Sequence, residues 1–366
     1  MTSTDKPLRI TFMHKSGRGS LKGGMRVLTD YAQALQDKGH DVTLVSPQRK
    51  PARRFKSGPL SRLPLRKSNP FPRDYFEGRT FREIVTDHMG PLTDDDLPDA
   101  DVLVTTWYKT CLWLSDISPE KGKPVHFAQG LETFDHLPQA ETHRALSLPI
   151  PKICVSGWVE KSLRQNFGAT NTVLVGNGID LDAFKAERPF AERQGVGLLY
   201  TPAAVKNCAR AFEAVRLLRE RGHDVPFAGF GKQAEPKAGG FTLYKEAPAQ
   251  DDIKAVYTKP LVWLFPSDSE GFGLPILEAM AAGTPVIGTR AGAAPDLIDG
   301  RNGMLVDFSA EAMADAAEKV LKMPEAEWQA MSDAASATAE AHRFERAAER
   351  FENALRRVAQ DAPLRG

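Results

Sequence analysis

Apolar positions along this chain follow two alternating rhythms. Leu8-Arg9-Ile10-Thr11-Phe12-Met13 reads as a short buried strand, and Val27, Leu28, Tyr31, Ala34 and Leu35 then recur at helical spacing. Gly39 stops that helix and Val42-Thr43-Leu44-Val45 starts a second strand, which completes one βαβ unit. Strand-like runs return at 101–105, 123–128, 152–155 and 172–175, and again at 196–200, 225–228, 241–244, 261–265 and 285–287. Helical patterns such as 207–221 and 274–282 lie between them. Strands alternating with helices predict parallel sheets covered on both faces. The pattern breaks between Phe184 and Gly195, around Pro189, so it predicts two Rossmann-like α/β domains. Their boundaries are set at 1–186 and 187–341, with ligands expected beyond the carboxyl ends of the strands. The final stretch carries Phe344, Ala347, Phe351, Leu355 and Val358 on one stripe of an amphipathic helix.

Length agrees with that reading, since 366 residues suit two domains of ordinary size. A formal charge of +1 gives no pull toward nucleic acid. Cys111, Cys154 and Cys208 lack metal-type spacing and read as reduced thiols, which makes a cytoplasmic location the default. No stretch approaches the ~18 apolar residues needed to span a bilayer, and no apolar signal core follows Met1.

The strongest chemical signal lies in residues 267–292, SDSEGFGLPILEAMAAGTPVIGTRAG. It follows the apolar run Leu261-Val262-Trp263-Leu264-Phe265, and Pro275 stands where a first helical turn tolerates it. Strand, glycine-rich loop and helix are therefore expected in that order. Backbone N–H groups at such a helix start bind phosphate, and Gly271 and Gly273 let the backbone come close to a ligand. Glu270 falls in the loop and Glu278 one turn inside the helix. Ionised carboxylates accept sugar hydroxyls strongly, so two of them beside an anion site suit a nucleotide sugar.

This segment closely resembles the Glu-x7-Glu signature of the retaining family 4 glycosyltransferases, which have the GT-B fold. Other pieces fit in the same order: Gly23-Gly24, Lys38 to Leu44, Val155-Ser156, Gly176-Asn177-Gly178-Ile179-Asp180 with Phe184, and Gly300 with Asn302-Gly303. The resemblance implies an acceptor-binding N-terminal domain and a donor-binding C-terminal domain, with a last helix, 342–366, crossing back onto the first. It assigns the donor-sugar hydroxyls to Glu270 and the ribose to Glu278. The N–H groups of Gly271, Phe272 and Gly273 would meet the sugar and diphosphate, with Leu274 shaping the turn. Lys206 takes the place of the family's phosphate-binding lysine, yet the expected arginine is absent near Tyr200-Thr201-Pro202 and Asn207 replaces a glycine. Arg18 or Lys22 is the alternative source of that charge. Gly23 and Gly24 match a glycine pair that contacts the donor, or are simple turn glycines.

Aligning Val125 to Gly130 with the family's histidine-bearing strand puts Gln129 in the histidine slot. His126 is then a packed strand histidine or a site residue. Gln129, Glu132 and Asp135 would line the acceptor side, and Trp107 and Tyr108 could stack on a sugar or simply pack. Asp94-Asp95-Asp96 reads as solvated charge rather than a metal site, and the resemblance implies neither a metal nor a cofactor. Residues 48–73 are basic and proline-rich, with Phe55, Leu60, Leu63, Leu65 and Phe71 among them. They read as a surface insertion or as a docking segment for an anionic membrane or glycan. The expectation is a metal-independent hexosyl- or deoxyhexosyltransferase acting from a nucleoside-diphosphate sugar on a glycan, lipid-linked or small-molecule acceptor. The rival readings are a catalytically weak sugar-nucleotide-binding subunit, a GT-B epimerase and a phosphorylase.

Overall fold

A computed structural model describes residues 6–15, 23–48, 76–186 and 188–364. They divide into two compact units, one drawn from Met1–Cys154, Glu160–Val175 and Ala348–Gly366, the other from Val155–Val159 and Gly176–Ala347. The strands are β1 Arg9–Met13, β2 Asp41–Ser46, β3 Arg82–Val85, β4 Val102–Thr105, β5 Lys123–Ala128, β6 Lys152–Cys154 and β7 Thr172–Leu174, then β8 Val196–Tyr200, β9 Phe227–Gly231, β10 Leu243–Glu246, β11 Val262–Phe265, β12 Val286–Thr289 and β13 Gly303–Val306. The helices are α1 Gly23–Asp37, α2 Tyr108–Leu112, α3 Gln139–Leu146, α4 Gly157–Phe167, α5 Leu181–Phe184, α6 Cys208–Glu220, α7 Gln250–Tyr257, α8 Leu274–Ala281, α9 Ala294–Leu297, α10 Ala310–Leu321, α11 Glu325–Ala341 and α12 Phe344–Ala359.

The first unit is a parallel sheet in the order β3-β2-β1-β4-β5-β6-β7. Chain order reverses between β1 and β4, which is where such sheets open a crevice at their carboxyl edge. Helix α1 buries Val27, Leu28, Tyr31 and Leu35 as expected, with Ala32 rather than Ala34 completing the face. Phe351 of α12 is fully buried against Tyr31 at 4.5 Å and Phe127 at 4.8 Å between ring centroids. An aromatic side chain so enclosed contributes about 1.5–3 kcal/mol through removal from water, and it fixes the last helix on this sheet. Glu352, one position on, accepts from Lys38 and Arg356 at 2.8 Å each.

The second unit is a parallel sheet in the order β10-β9-β8-β11-β12-β13, with its reversal between β8 and β11. Two edge strands, β3 and β13, are absent from the periodicity reading. Arg82 and Val85 are exposed, so β3 lacks a clean apolar stripe. Strand β13 starts at Gly303, where a Cβ would lie 2.1 Å from the Val286 carbonyl oxygen, so a glycine that looks like a turn is demanded by strand pairing. Gly229 does the same inside β9, where a Cβ would meet the Phe241 ring at 2.3 Å, and β9 and β10 accordingly run two to three residues beyond their expected ends.

The change of unit falls after Val175, not at 186–187. Leu181 and Phe184 belong to the second unit because α5 packs on α7 and α8, with Phe184 edge-on to Tyr257 at 6.1 Å. Gly178 lies against the start of α12, where a Cβ would sit 2.4 Å from the Phe344 Cα, and Asp180 caps α5 by accepting from the Ala183 N–H. The Gly-Asn-Gly-Ile-Asp motif thus packs on the start of α12 and caps α5. All three cysteines are buried, and burial pushes the Cys111 and Cys154 thiols up to about 12. No described helix is long and apolar enough to cross a membrane.

Candidate active site

The expected strand, loop and helix are β11, residues 266–273 and α8, at the carboxyl edge beside the β8/β11 reversal. Gly273 caps α8 with φ +102°, and a Cβ there would press on the Phe265 ring at 2.7 Å. Left-handed geometry and a close aromatic neighbour both require glycine. Leu274 and Pro275 open the helix, and the buried faces of Ile276, Leu277 and Met280 hold it on the sheet. Phe272 is buried, and its carbonyl accepts from the Ala293 N–H at 2.8 Å.

Glu270 and Lys206, expected from separate motifs, form an ion pair. The Glu270 side chain is 8% exposed and that of Lys206 33%, so the lysine is the more accessible partner. Ser267 donates its hydroxyl to the other Glu270 oxygen at 2.8 Å. Lys206 ends a 3-10 turn, and Asn207 follows in left-handed conformation with φ +40°. That explains the departure from glycine: asparagine is the side-chain-bearing residue that best tolerates this region. Its amide donates to Asp268 at 2.9 Å, and Arg210 donates to the same carboxylate at 2.7 Å. Tyr200, near the expected arginine, lies in an aromatic group with Phe212 and Tyr244. Arg18, Lys22 and residues 49–75, which hold most of the basic segment, lie outside the described residues.

Glu278, one turn into α8, accepts from the Tyr257 hydroxyl at 2.7 Å. Tyr257 is itself fixed among Trp263 at 4.3 Å, Phe230 at 5.3 Å and Phe184. Nothing in the sequence signals this partner, because it comes from tertiary packing. Gly292 is a second omission, although it closes the quoted segment. It has φ +58°, and a Cβ there would lie 2.6 Å from both the Glu270 Cβ and the Phe272 carbonyl oxygen.

The other expected residues belong to the first unit, around the β1/β4 reversal. Gly23 and Gly24 start α1, and a Cβ on Gly24 would lie 3.1 Å from the Gln129 Oε1, so this glycine and the acceptor-side glutamine are neighbours. Trp107 and Tyr108 follow β4, with Lys15 Nζ 3.1 Å from the centroid of the Trp107 ring. His126 is a packed strand residue, 1% exposed, whose Nδ1 lies 3.0 Å from the Thr105 hydroxyl and 3.1 Å from the Cys111 sulfur. Burial, with the Lys152 charge, lowers it to about 3, so it is neutral. Glu132 is 4% exposed with Oε2 unpartnered, and burial raises its carboxyl to about 8. Asp135 is exposed. Asp94 and Asp96 accept from the Ser118 and Thr93 N–H groups, so the aspartate run tethers loops.

Comparison with known proteins bears on the fold and on the second unit. Residues 195–323 match the profile of the family described as Glycosyl transferases group 1. The GDP-mannose-dependent alpha-(1-6)-phosphatidylinositol dimannoside mannosyltransferase of Mycobacterium tuberculosis is 29% identical over 189 residues, 47% of this chain and 49% of that protein. The match therefore spans about half of that relative. A glycosyltransferase from Rickettsia africae has a TM-score of 0.69 at 15% identity, covering 97% of this chain and 100% of that one. Anabaena HepE in complex with UDP-glucose has a TM-score of 0.68 at 15% identity, covering 97% and 99%. The fold is thus GT-B, built of two Rossmann-like units. The residues that match the group 1 profile lie in the second unit.

Proposed function

We propose that the protein is a retaining glycosyltransferase that moves a hexose or deoxyhexose from a nucleoside diphosphate to a hydroxyl acceptor. The observation that carries this reading is the convergence of Lys206, Glu270, Glu278 and the Gly273 helix start at one carboxyl edge of the second unit. Similarity to a GDP-mannose-dependent enzyme and to a protein crystallised with UDP-glucose supports a sugar-nucleotide donor. In this reading Glu278 holds the ribose, and the N–H groups of 271–273 face sugar and diphosphate. Lys206 stabilises the charge that develops on the leaving diphosphate. Glu270 meets the transferred sugar, and its pairing with Lys206 couples sugar position to leaving-group charge. In this reading Gln129, Glu132 and Trp107 line the acceptor side, and Gly23 and Gly24 are the donor-contacting pair.

The diphosphate oxygen serves as base for the incoming hydroxyl on the same face, so the protein mainly positions the reactants and stabilises charge. Neither metal nor cofactor takes part. A location at the inner face of a membrane, reached through residues 48–73, completes the proposal. Thermal stabilisation by a nucleotide panel, followed by assay of donor hydrolysis with EDTA present, tests it. Stabilisation with slow metal-free hydrolysis is expected; stabilisation without hydrolysis favours a binding subunit, and hydrolysis that needs a divalent ion overturns the metal-free mechanism.

A further inference from the structure

In the first unit, an aromatic ring follows the carboxyl end of β4, and an amide and a buried acid follow that of β5. Glu132 is almost wholly enclosed, yet its Oε2 has no hydrogen-bond partner. The Gln129 amide sits beside the bare Cα of Gly24. The half-buried Trp107 ring follows β4, with Lys15 seated on it. A buried polar atom without a partner costs on the order of 1–3 kcal/mol, and in a native fold that cost calls for a reason. The missing partner here is best supplied from outside the chain.

We propose that Glu132 is an un-ionised carboxylic acid that donates its O–H to an uncharged polyhydroxyl ring bound at this edge, with Gln129 as its companion. This rests on the transferase reading, and it specifies the part of the acceptor seen by the first unit as a neutral sugar or cyclitol rather than a phosphate. A carboxylic acid and a carboxamide each present one donor face and one acceptor face, which matches hydroxyls that do both. A phosphate brings a charge that a buried neutral site leaves uncompensated. The groups that act on Glu132 or feel its charge are Lys15 after β1 and Tyr108 and Cys111 on α2, and His126 on β5 lies beside Cys111. Lys15 opposes the effect of burial on Glu132 without overcoming it. Tyr108 and Cys111 are pushed up and His126 down, so Glu132 is the one among these four acids and bases that titrates between pH 5 and 9.

Saturation-transfer NMR with methyl α-D-mannopyranoside, myo-inositol and inorganic phosphate as separate probes tests the proposal on the full chain. A polyol should bind at pH 6.5 and weaken at least 10-fold by pH 9.5; Glu132→Ala should lose it, and Glu132→Gln should keep it without the pH dependence. Difference infrared spectra of wild type against Glu132→Gln should show a protonated carboxyl band at pH 6.5 that vanishes by pH 9.5, with no ligand needed. Phosphate binding in preference to both polyols, polyol binding indifferent to Glu132→Ala, or absence of the infrared band overturns the proposal. Nucleotide stabilisation, run on the same variants, reports folding. Its absence in the wild type would remove the transferase reading, and the infrared band would still decide the state of Glu132.

Discussion

The two sheet reversals present opposite electrostatic solutions. At the β8/β11 reversal charge is met within the protein, Lys206 by Glu270 and Asp268 by Asn207 and Arg210. At the β1/β4 reversal an acid is buried with one oxygen unpartnered and a histidine is held neutral. An edge whose charges are already paired must exchange an internal partner for a ligand, so it favours an ionic ligand that can compete for the lysine. An edge with an orphaned neutral group gains from any ligand that completes it and discriminates against charge. In the proposed reading the same topology would offer one seat to a diphosphate and one to hydroxyls.

The comparison breaks most visibly at Lys206. Lys206→Ala should lower turnover about 100-fold or more, as for removal of one charge stabiliser at a leaving group. A steady-state assay retaining most activity would pass the phosphate role to Arg18 or Lys22. Next comes Glu278→Ala, expected to weaken nucleotide binding by about 1–3 kcal/mol in calorimetry, and Tyr257→Phe, which frees the carboxylate from its clamp, by about 0.5–1.5 kcal/mol. Equal affinities in all three proteins would remove Glu278 from the ribose.

A stability measurement sharpens the other side. The folded-state Glu132 lies above its unfolded value, so the folded form keeps a proton that the unfolded form releases. Wild type should therefore lose stability relative to Glu132→Gln as pH rises from about 4.5 to 8, by a few kcal/mol at most, and then level off. Urea midpoints at pH 5 and pH 9 decide it; a constant gap would mean an ionised acid. One glycine in each unit gives a contrast in stability alone. Gly292→Ala meets a left-handed backbone and two contacts at 2.6 Å and should cost about 1–3 kcal/mol. Gly24→Ala meets only a movable amide at 3.1 Å and should stay within about 1 kcal/mol. Thermal melts that rank the two the other way would contradict the placement of Glu270 against Gly292.

Much of the second edge is legible in sequence, because β11, its glycine turn and α8 are contiguous and each residue type has a local reason. Lys206 is legible only by resemblance, and its pairing with Glu270 only from the fold. The Tyr257 clamp on Glu278 and the closeness of Gly24 to Gln129 have no local signature, since each joins segments distant along the chain. Glu132 is readable as an acid near the acceptor side; its enclosure, which sets its chemistry, is a tertiary property. Edge strands β3 and β13 escape for a different reason, their half-exposed residues blurring the two-residue alternation.

The burial of Cys111, Cys154 and Cys208 gives the molecule a practical quality. A thiolate is the reactive form, and thiols enclosed this way react slowly with alkylating probes while the fold is intact. A cysteine introduced at an exposed position, such as Asp135 beside the first-unit edge or Arg301 on the second, would therefore be modified selectively against a silent background. Paired spectroscopic labels at such positions would turn the distance between the two units into a readable coordinate without removal of any native residue.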